Sequence, residues 1–312
     1  MKNNYLIIFM LSVFVTVSQN LTYSVVSNKA ETGFFKINID PWNVLVSQSR
    51  LSFSGQAGVR FYKSGFYFNL SGDFHYLDDL ASFSDKMTGQ SVYKDQRSRN
   101  INALAGYLIN WNKNGPVKIH LKSGHGTGGK TVDTYAEIST DYKQYFGIEG
   151  GIKSGYSFLT YKADATINGK DQSNDSEVPI SGYFTTYMQY TWAQFGFSFG
   201  KIINMEADFS GYGKRTASYM TKFYGHLILP VSTNLEDIYF TPDNGSSKLL
   251  TYRYVLNDIV PLSKIGFRAG YEFIPMKKLM GVGLELGTMP GIKKGGNFYI
   301  STKLSFNFGP RF

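Results

Sequence analysis

The sequence predicts an all-β fold: a single-domain, antiparallel β-barrel whose strands cross a membrane. Three observations predict it. Runs of residues alternate apolar and polar over roughly ten positions, the length a tilted strand needs to cross a bilayer. The 312 residues include 33 Gly, 23 Tyr and 25 Phe. Polar connections alternate between short and long, as in barrels with tight turns on one side and long loops on the other. Gly and aromatic residues are poorer helix formers than Ala, Leu, Glu and Lys, which disfavours helical packing. A soluble sandwich also alternates, but its strands are commonly about 5–6 residues long.

The N-terminus reads as an export signal. Lys2 precedes the apolar run Tyr5–Val17, and Thr16, Val17 and Ser18 follow as a cleavage region. Charge, apolar run and cleavage site in that order define a secretory signal. Residues 1–18 are therefore expected to be removed, leaving Gln19 or Asn20 first, and 19–312 to form the barrel. No later segment approaches the ~18 consecutive apolar residues of a spanning helix. With no Cys in the chain, disulfides, thiolate metal sites and a lipidated N-terminal Cys are all excluded.

The strands follow in order. Leu51, Phe53, Ala57, Val59 and Phe61 share one face, opposite Ser52, Ser54, Gln56 and Arg60. Phe66, Phe68, Leu70, Phe74 and Tyr76 likewise oppose Asn69, Ser71, Asp73 and His75. Alternate side chains of a strand point to opposite faces, so each run has one lipid-suited and one wet side. Continuing this pattern gives strands at 33–39, 51–62, 64–76, 100–112, 116–124, 144–153, 155–168, 181–192, 194–202, 216–229, 249–256, 264–274, 279–288 and 297–312. The count is about 14, with about 12 as the alternative; both are even, as single-chain bacterial barrels require. Short turns are expected at Lys63-Ser64, Asn112–Pro116 and Lys153–Gly155. Trp42, Trp111 and Trp192 fall near strand ends and suit interface girdles.

At the C-terminus Leu304, Phe306, Phe308, Pro310 and Phe312 alternate with Ser305, Asn307, Gly309 and Arg311. This resembles the terminal strand of bacterial outer-membrane β-barrel proteins. The resemblance implies an outer-membrane location, contact with lipid and lipopolysaccharide, and an assembly signal on Leu304, Phe306, Phe308 and Phe312 read by the barrel assembly machinery. Pro310 departs from the pattern, since a non-proline apolar residue is commoner there.

The formal net charge is +9. The cations are scattered, with no basic cluster interleaved with stacking aromatics, so no nucleic-acid partner is expected. Arg60, Lys118, Lys122, Arg253 and Arg268 occupy polar phases of their strands and are expected to face the lumen, favouring anionic solutes.

Candidate chemistry concentrates at His120, Ser123 and His125. The segment, placed at the outer end of a strand, loosely resembles the outer-membrane phospholipase family, whose His-x-Ser pair implies lipid-ester hydrolysis. Leu121 occupies the position two before Ser123 and cannot be a base. His120 and Ser123 are three apart, so on a regular strand they point to opposite faces. Gly124 to Gly129 with Lys130 and Thr131 match a phosphate-loop spacing, but strands surround them where that motif needs a helix. No His pair has metal-ligand spacing, so no metal or cofactor is expected. The leading function is a passive channel or transporter for small solutes. The runner-up is a structural or assembly component of an envelope machine with protein partners, and an outer-membrane lipid hydrolase comes third, so the balance is against an enzyme.

Overall fold

A computed structural model describes residues 22–28, 33–47, 51–77, 98–125, 131–171, 177–240, 252–254, 265–277, 279–290 and 298–311, with no side-chain description for 47, 77, 125, 131–132, 158–171, 177–185, 238–240 and 252–254. The described residues form β1 (Tyr23–Ser27), β2 (Gly33–Ser47), β3 (Leu51–Lys63), β4 (Phe66–Leu77), β5 (Arg99–His125), β6 (Thr131–Asp171), β7 (Glu177–Phe209), β8 (Gly213–Leu235), β9 (Ile238–Phe240), β10 (Tyr252–Tyr254), β11 (Gly266–Pro275), β12 (Met280–Thr288) and β13 (Phe298–Phe308). The export-signal residues 1–18 and Phe312 lie outside the described residues.

The strands close into a barrel in the order β2-β3-β4-β5-β6-β7-β8-β11-β12-β13, with β13 pairing back onto β2. Every neighbouring pair is antiparallel. The wall therefore has 10 described strands, an even number, and corrects the expected 14 or 12. β1 lies outside the wall, pairing with the end of β7 from Glu206 to Phe209. β9 and β10 pair with each other, and β10 with the end of β6 at Lys170 and Asp171.

The excess in the expected count has definite causes. Asn112–Pro116 has turn composition but runs straight through β5, opposite Ser139–Lys143 of β6. Asn114 Nδ2 donates to Asp141 Oδ1 at 2.8 Å, and Ser139 Oγ donates to Asn114 Oδ1 at 2.7 Å, so these turn-prone side chains bond across the ladder. The β4 ladder reaches β5 only as far as Tyr107, so Pro116 sits where β5 is paired on one side, as strand prolines require. Lys153–Gly155 likewise continues β6 opposite Tyr190–Trp192, and Ala193 continues β7 opposite Leu229. The expected strand 249–256 is represented by β10, off the wall. The turn expected at Lys63-Ser64 forms one residue later, at Ser64-Gly65, both residues at positive φ (49° and 90°), and an added Cβ on Gly65 would meet the Leu108 carbonyl oxygen at 2.8 Å.

The alternation is realised around the wall. Ile37, Phe66, Leu70, Ile101, Ile109, Ile148, Phe195, Phe197, Leu227, Leu284 and Ile300 all point outward and are exposed. Lys36, Asn38, Arg60, Ser71, Asn102, Glu149, Gln194, Ser198, Lys222 and Arg268 are buried inside. An apolar outside around a polar inside is the inverse of a soluble barrel and is what a lipid-embedded wall requires. Trp42 and Trp111 are exposed on the outer face, whereas Trp192 is buried within and stacks on Tyr190 at 3.8 Å. Leu304, Phe306 and Phe308 occupy the outward phase of β13, with Ser305 and Asn307 buried behind them.

Candidate functional site

The two rims of the barrel differ. At the rim where β13 ends, hereafter the C-terminal rim, the links β3–β4, β7–β8 and β11–β12 are short. At the opposite rim the links span residues 78–98, 172–176, 236–265 and 289–297, with the shorter 48–50 beside them.

Just inside the C-terminal rim, Phe34, Tyr62, Tyr67, Leu104, Leu108, Tyr145, Ile202, Met220, Ile274 and Met276 form one buried apolar cluster. Eight strands and the β11–β12 turn contribute to it, so it lies across the lumen as a floor. Lys36 pins its edge by donating from Nζ to Met276 O at 3.1 Å and Gly309 O at 2.5 Å. Tyr145 lies over Gly200 and donates from its hydroxyl to Thr221 O at 2.9 Å; a Cβ on Gly200 would meet that hydroxyl oxygen at 2.8 Å.

Above the floor the interior is polar and cross-linked. Glu149 accepts from Lys222 Nζ at 2.6 Å, Ser198 Oγ at 2.7 Å and His226 Nε2 at 2.9 Å. Arg268 Nε donates to His226 Nδ1 at 3.1 Å. An arginine can only donate, so Nδ1 accepts and His226 is the neutral Nε2–H tautomer, its proton directed at Glu149. Arg268 continues to Glu285 at 3.6 Å, which also accepts from Tyr224 at 2.6 Å and Tyr299 at 2.7 Å. A second group holds Glu272 between Arg60 at 3.5 Å and the ammonium of Lys303. Lys222 links the polar layer to the floor, its Nζ 4.1 Å from the Tyr67 ring centroid.

All of these side chains except Glu149 and Ser198 line a cup of about 100 Å³ with Asn43, Gln56, Asn69, Asp73, Lys153 and Tyr156. It is bounded below by Tyr67, Leu104 and Lys222, beside the apolar cluster. The interior is thus blind at the C-terminal rim, and its charges are tied to one another rather than arrayed along an open bore.

Arg60 and Arg268 stand in this cup. Lys118 and Lys122 do not: they are exposed on a hairpin that β5 and β6 extend past the rim, a correction to their expected lumen position. The merger of two expected strands into one β5 carries them there. Arg253 lies on β10, opposite Lys170 and Tyr239, and its side chain lies outside the described residues. Glu149, Lys222, His226, Glu285 and Lys303 were not singled out from the sequence, although they occupy the same polar phases as Arg60 and Arg268.

The extended hairpin has its own core. Val117, Ile119 and Leu121 continue the outward phase of β5, yet are buried with Ile138, Ile203, Met205, Ala207, Phe209 and Ala217. The hairpin therefore folds over the matching extension of β7 and β8, covering apolar residues that the wall would expose to lipid. Its tip, and with it His120 and Ser123, lies beyond the rim where β13 ends.

A register shift between His120 and Lys122 overturns the expected opposition of His120 and Ser123. The bulge at Leu121 re-aims the strand, as bulges do, and brings His120 Nε2 to 3.1 Å from Ser123 Oγ. Asp133 Oδ1 lies 3.4 Å from the same Nε2. The hydrogen bond from Ser123, opposed by partial desolvation and aided by His120, holds the Asp133 carboxyl below its usual range. A nucleophilic triad places its carboxylate on the other ring nitrogen, to fix the tautomer that takes the serine proton. Here serine and carboxylate share one nitrogen. His125 closes β5, with its side chain outside the described residues.

No family model matches the chain, and no curated protein matches it. Among solved structures the chain is similar to the crystal structure of the P. putida toluene transporter TodX, with 10% identity, 91% of each chain covered and a TM-score of 0.21, a likeness too low to carry any argument about function.

Proposed function

We propose that this chain is an outer-membrane β-barrel that passes small polar solutes through a gated lumen. One observation carries the reading: the interior is divided into a charged cup reached from one rim and an apolar floor at the other. The C-terminal rim faces the periplasm, the floor is the gate, and the cup receives solute from outside. Arg60, Lys153, Lys222, Arg268 and Lys303 outnumber Asp73, Glu272 and Glu285 in its lining, which favours anionic solutes. Outer-membrane lipid, lipopolysaccharide and the barrel assembly machinery are its partners in this reading. The test is single-channel recording in a planar bilayer. Brief, anion-selective openings from a closed baseline are expected, and cation selectivity would refute the charge assignment.

A second reading, a structural component of an envelope machine, is favoured by the hairpin that extends past the C-terminal rim with its own apolar core. A folded, permanently silent barrel that copurifies with an envelope protein would select it.

A further inference from the structure

Between the extended hairpin and the barrel wall lies a cleft of about 920 Å³, well above the ~300 Å³ at which small-molecule sites begin. Two kinds of chemistry meet in its lining. One side carries five cations, Lys118, Lys122, Lys214, Arg215 and Lys277, with Asp133 as the carboxylate among the lining residues. Asp133 is turned toward Ser123 and His120. Glu206, beside the cleft, engages Lys277 at 2.7 Å, and the Lys122 ammonium lies over the Tyr212 ring at 5.7 Å. Glu137 stands opposite Lys118 and Asp208 opposite Lys214 in the ladders, so the five cations of the lining exceed Asp133, Glu137, Glu206 and Asp208 by one.

The other side is the barrel wall itself. Tyr219 and Phe273 line the cleft with ring centroids 5.1 Å apart. Phe273 shares the outward phase of β11 with Phe267, so the lining is continuous with the lipid-facing surface. Cations begin where the apolar wall ends, the level at which a bilayer presents its headgroups.

We propose that this cleft binds the phosphodiester headgroup of an anionic phospholipid from the leaflet that meets the C-terminal rim. Lys118, Lys122 and Lys214 face the phosphate, and the acyl chains run back along Phe273 and Tyr219. A soluble phosphate would satisfy the cations but leave the aromatic side without an occupant, which favours the lipid. The inference rests on the reading of the chain as a membrane barrel.

The experiment uses the full refolded chain in neutral detergent, titrated separately with short-chain phosphatidylglycerol, phosphatidylcholine and inorganic phosphate. Phosphatidylglycerol is expected to bind at least tenfold more tightly than phosphatidylcholine. The triple variant Lys118→Gln, Lys122→Gln, Lys214→Gln is expected to abolish the difference. Equal binding of the two lipids, or an unchanged preference in the triple variant, overturns the proposal. Inorganic phosphate binding as tightly as phosphatidylglycerol also overturns it, in favour of a soluble anion. Should the triple variant misfold, the wild-type chain decides: raising salt from about 0.05 to about 0.5 M should weaken phosphatidylglycerol alone, and salt-insensitive binding overturns the proposal. Heat-modifiable gel migration and insertion into vesicles are read in parallel, so a folded, inserted barrel without lipid preference refutes the cleft and leaves the barrel reading standing.

Discussion

Lys222 Nζ stands 2.6 Å from Glu149 Oε1 across the intervening strand β7, with both side chains almost wholly out of solvent. Breaking a buried pair by removing one partner is far costlier than never having had it, because the survivor is left as an uncompensated charge. Lys222→Met is expected to destabilise the barrel by about 3 kcal/mol, and Glu149→Gln by a similar amount. The double variant should lose about 1–3 kcal/mol less than the sum of the two, since the cost belongs to the pair. Urea unfolding in lipid vesicles measures all three. Additive losses would show that the two residues act separately.

The apolar floor makes a second prediction. Tyr62 and Met276 belong to the buried cluster that closes the lumen at the C-terminal rim. Truncating both to Ala should cost roughly 5 kcal/mol or more in stability but widen the interior there. Where the variant still migrates as a folded barrel, its planar-bilayer current should show long-lived openings in place of the brief ones expected of the wild-type chain. A folded variant with wild-type gating would place the barrier elsewhere.

The outer wall offers a test of the membrane assignment that is independent of transport. Ile148 is 66% exposed in the middle of β6 and pairs with Phe197, itself outward-facing. An arginine on the lipid face near the bilayer midplane costs about 2–4 kcal/mol. Ile148→Arg should therefore reduce vesicle insertion and the urea midpoint. Lys113→Glu, at an exposed position of β5 beyond its pairing with β4, should leave both unchanged. A soluble β-barrel would tolerate both substitutions alike.

The wall was legible because a period of two needs no knowledge of partners. Ile101, Leu104 and Ile109 can be sorted into faces from their own strand alone, and the alternation from Leu304 to Phe308 sorts just as cleanly. Strand boundaries were less legible. Asn-Lys-Asn-Gly-Pro at 112–116 is turn chemistry by composition, and what keeps it extended is Asp141 and Ser139 on the neighbouring strand. The interior was the least legible part. Arg60 announces itself by its phase, but its carboxylate, Glu272, lies 212 residues away and meets it only through barrel closure. Seeking anions along with cations in the polar phase would have found Glu149 and Glu285; their particular partners depend on shear and stagger, which no local pattern encodes.

The bulge at Leu121 yields the last prediction. It places His120 Nε2 3.1 Å from Ser123 Oγ, a distance at which a base could take a proton. The carboxylate that would be needed behind the ring stands instead 3.4 Å from that same nitrogen. Since Ser123 donates toward Asp133, its proton is directed at the carboxylate rather than at the imidazole. The cluster is therefore expected to hold the hairpin tip in shape and not to attack an ester. Wild-type and Ser123→Ala proteins should show the same background lipid hydrolysis, and hydrolysis lost only in the variant would refute this. A positive signature accompanies it: Ser123→Ala removes the hydrogen bond that depresses the Asp133 carboxyl, so its titration, followed by carbon-detected NMR, should move up toward the ordinary carboxylate value. The sign follows from the direction of the shift. A depressed carboxyl contributes its stabilisation above the unfolded value and loses it as pH falls through the folded one. The variant should therefore be the less stable of the two at neutral pH, and the difference should vanish as pH falls through the folded carboxyl's value.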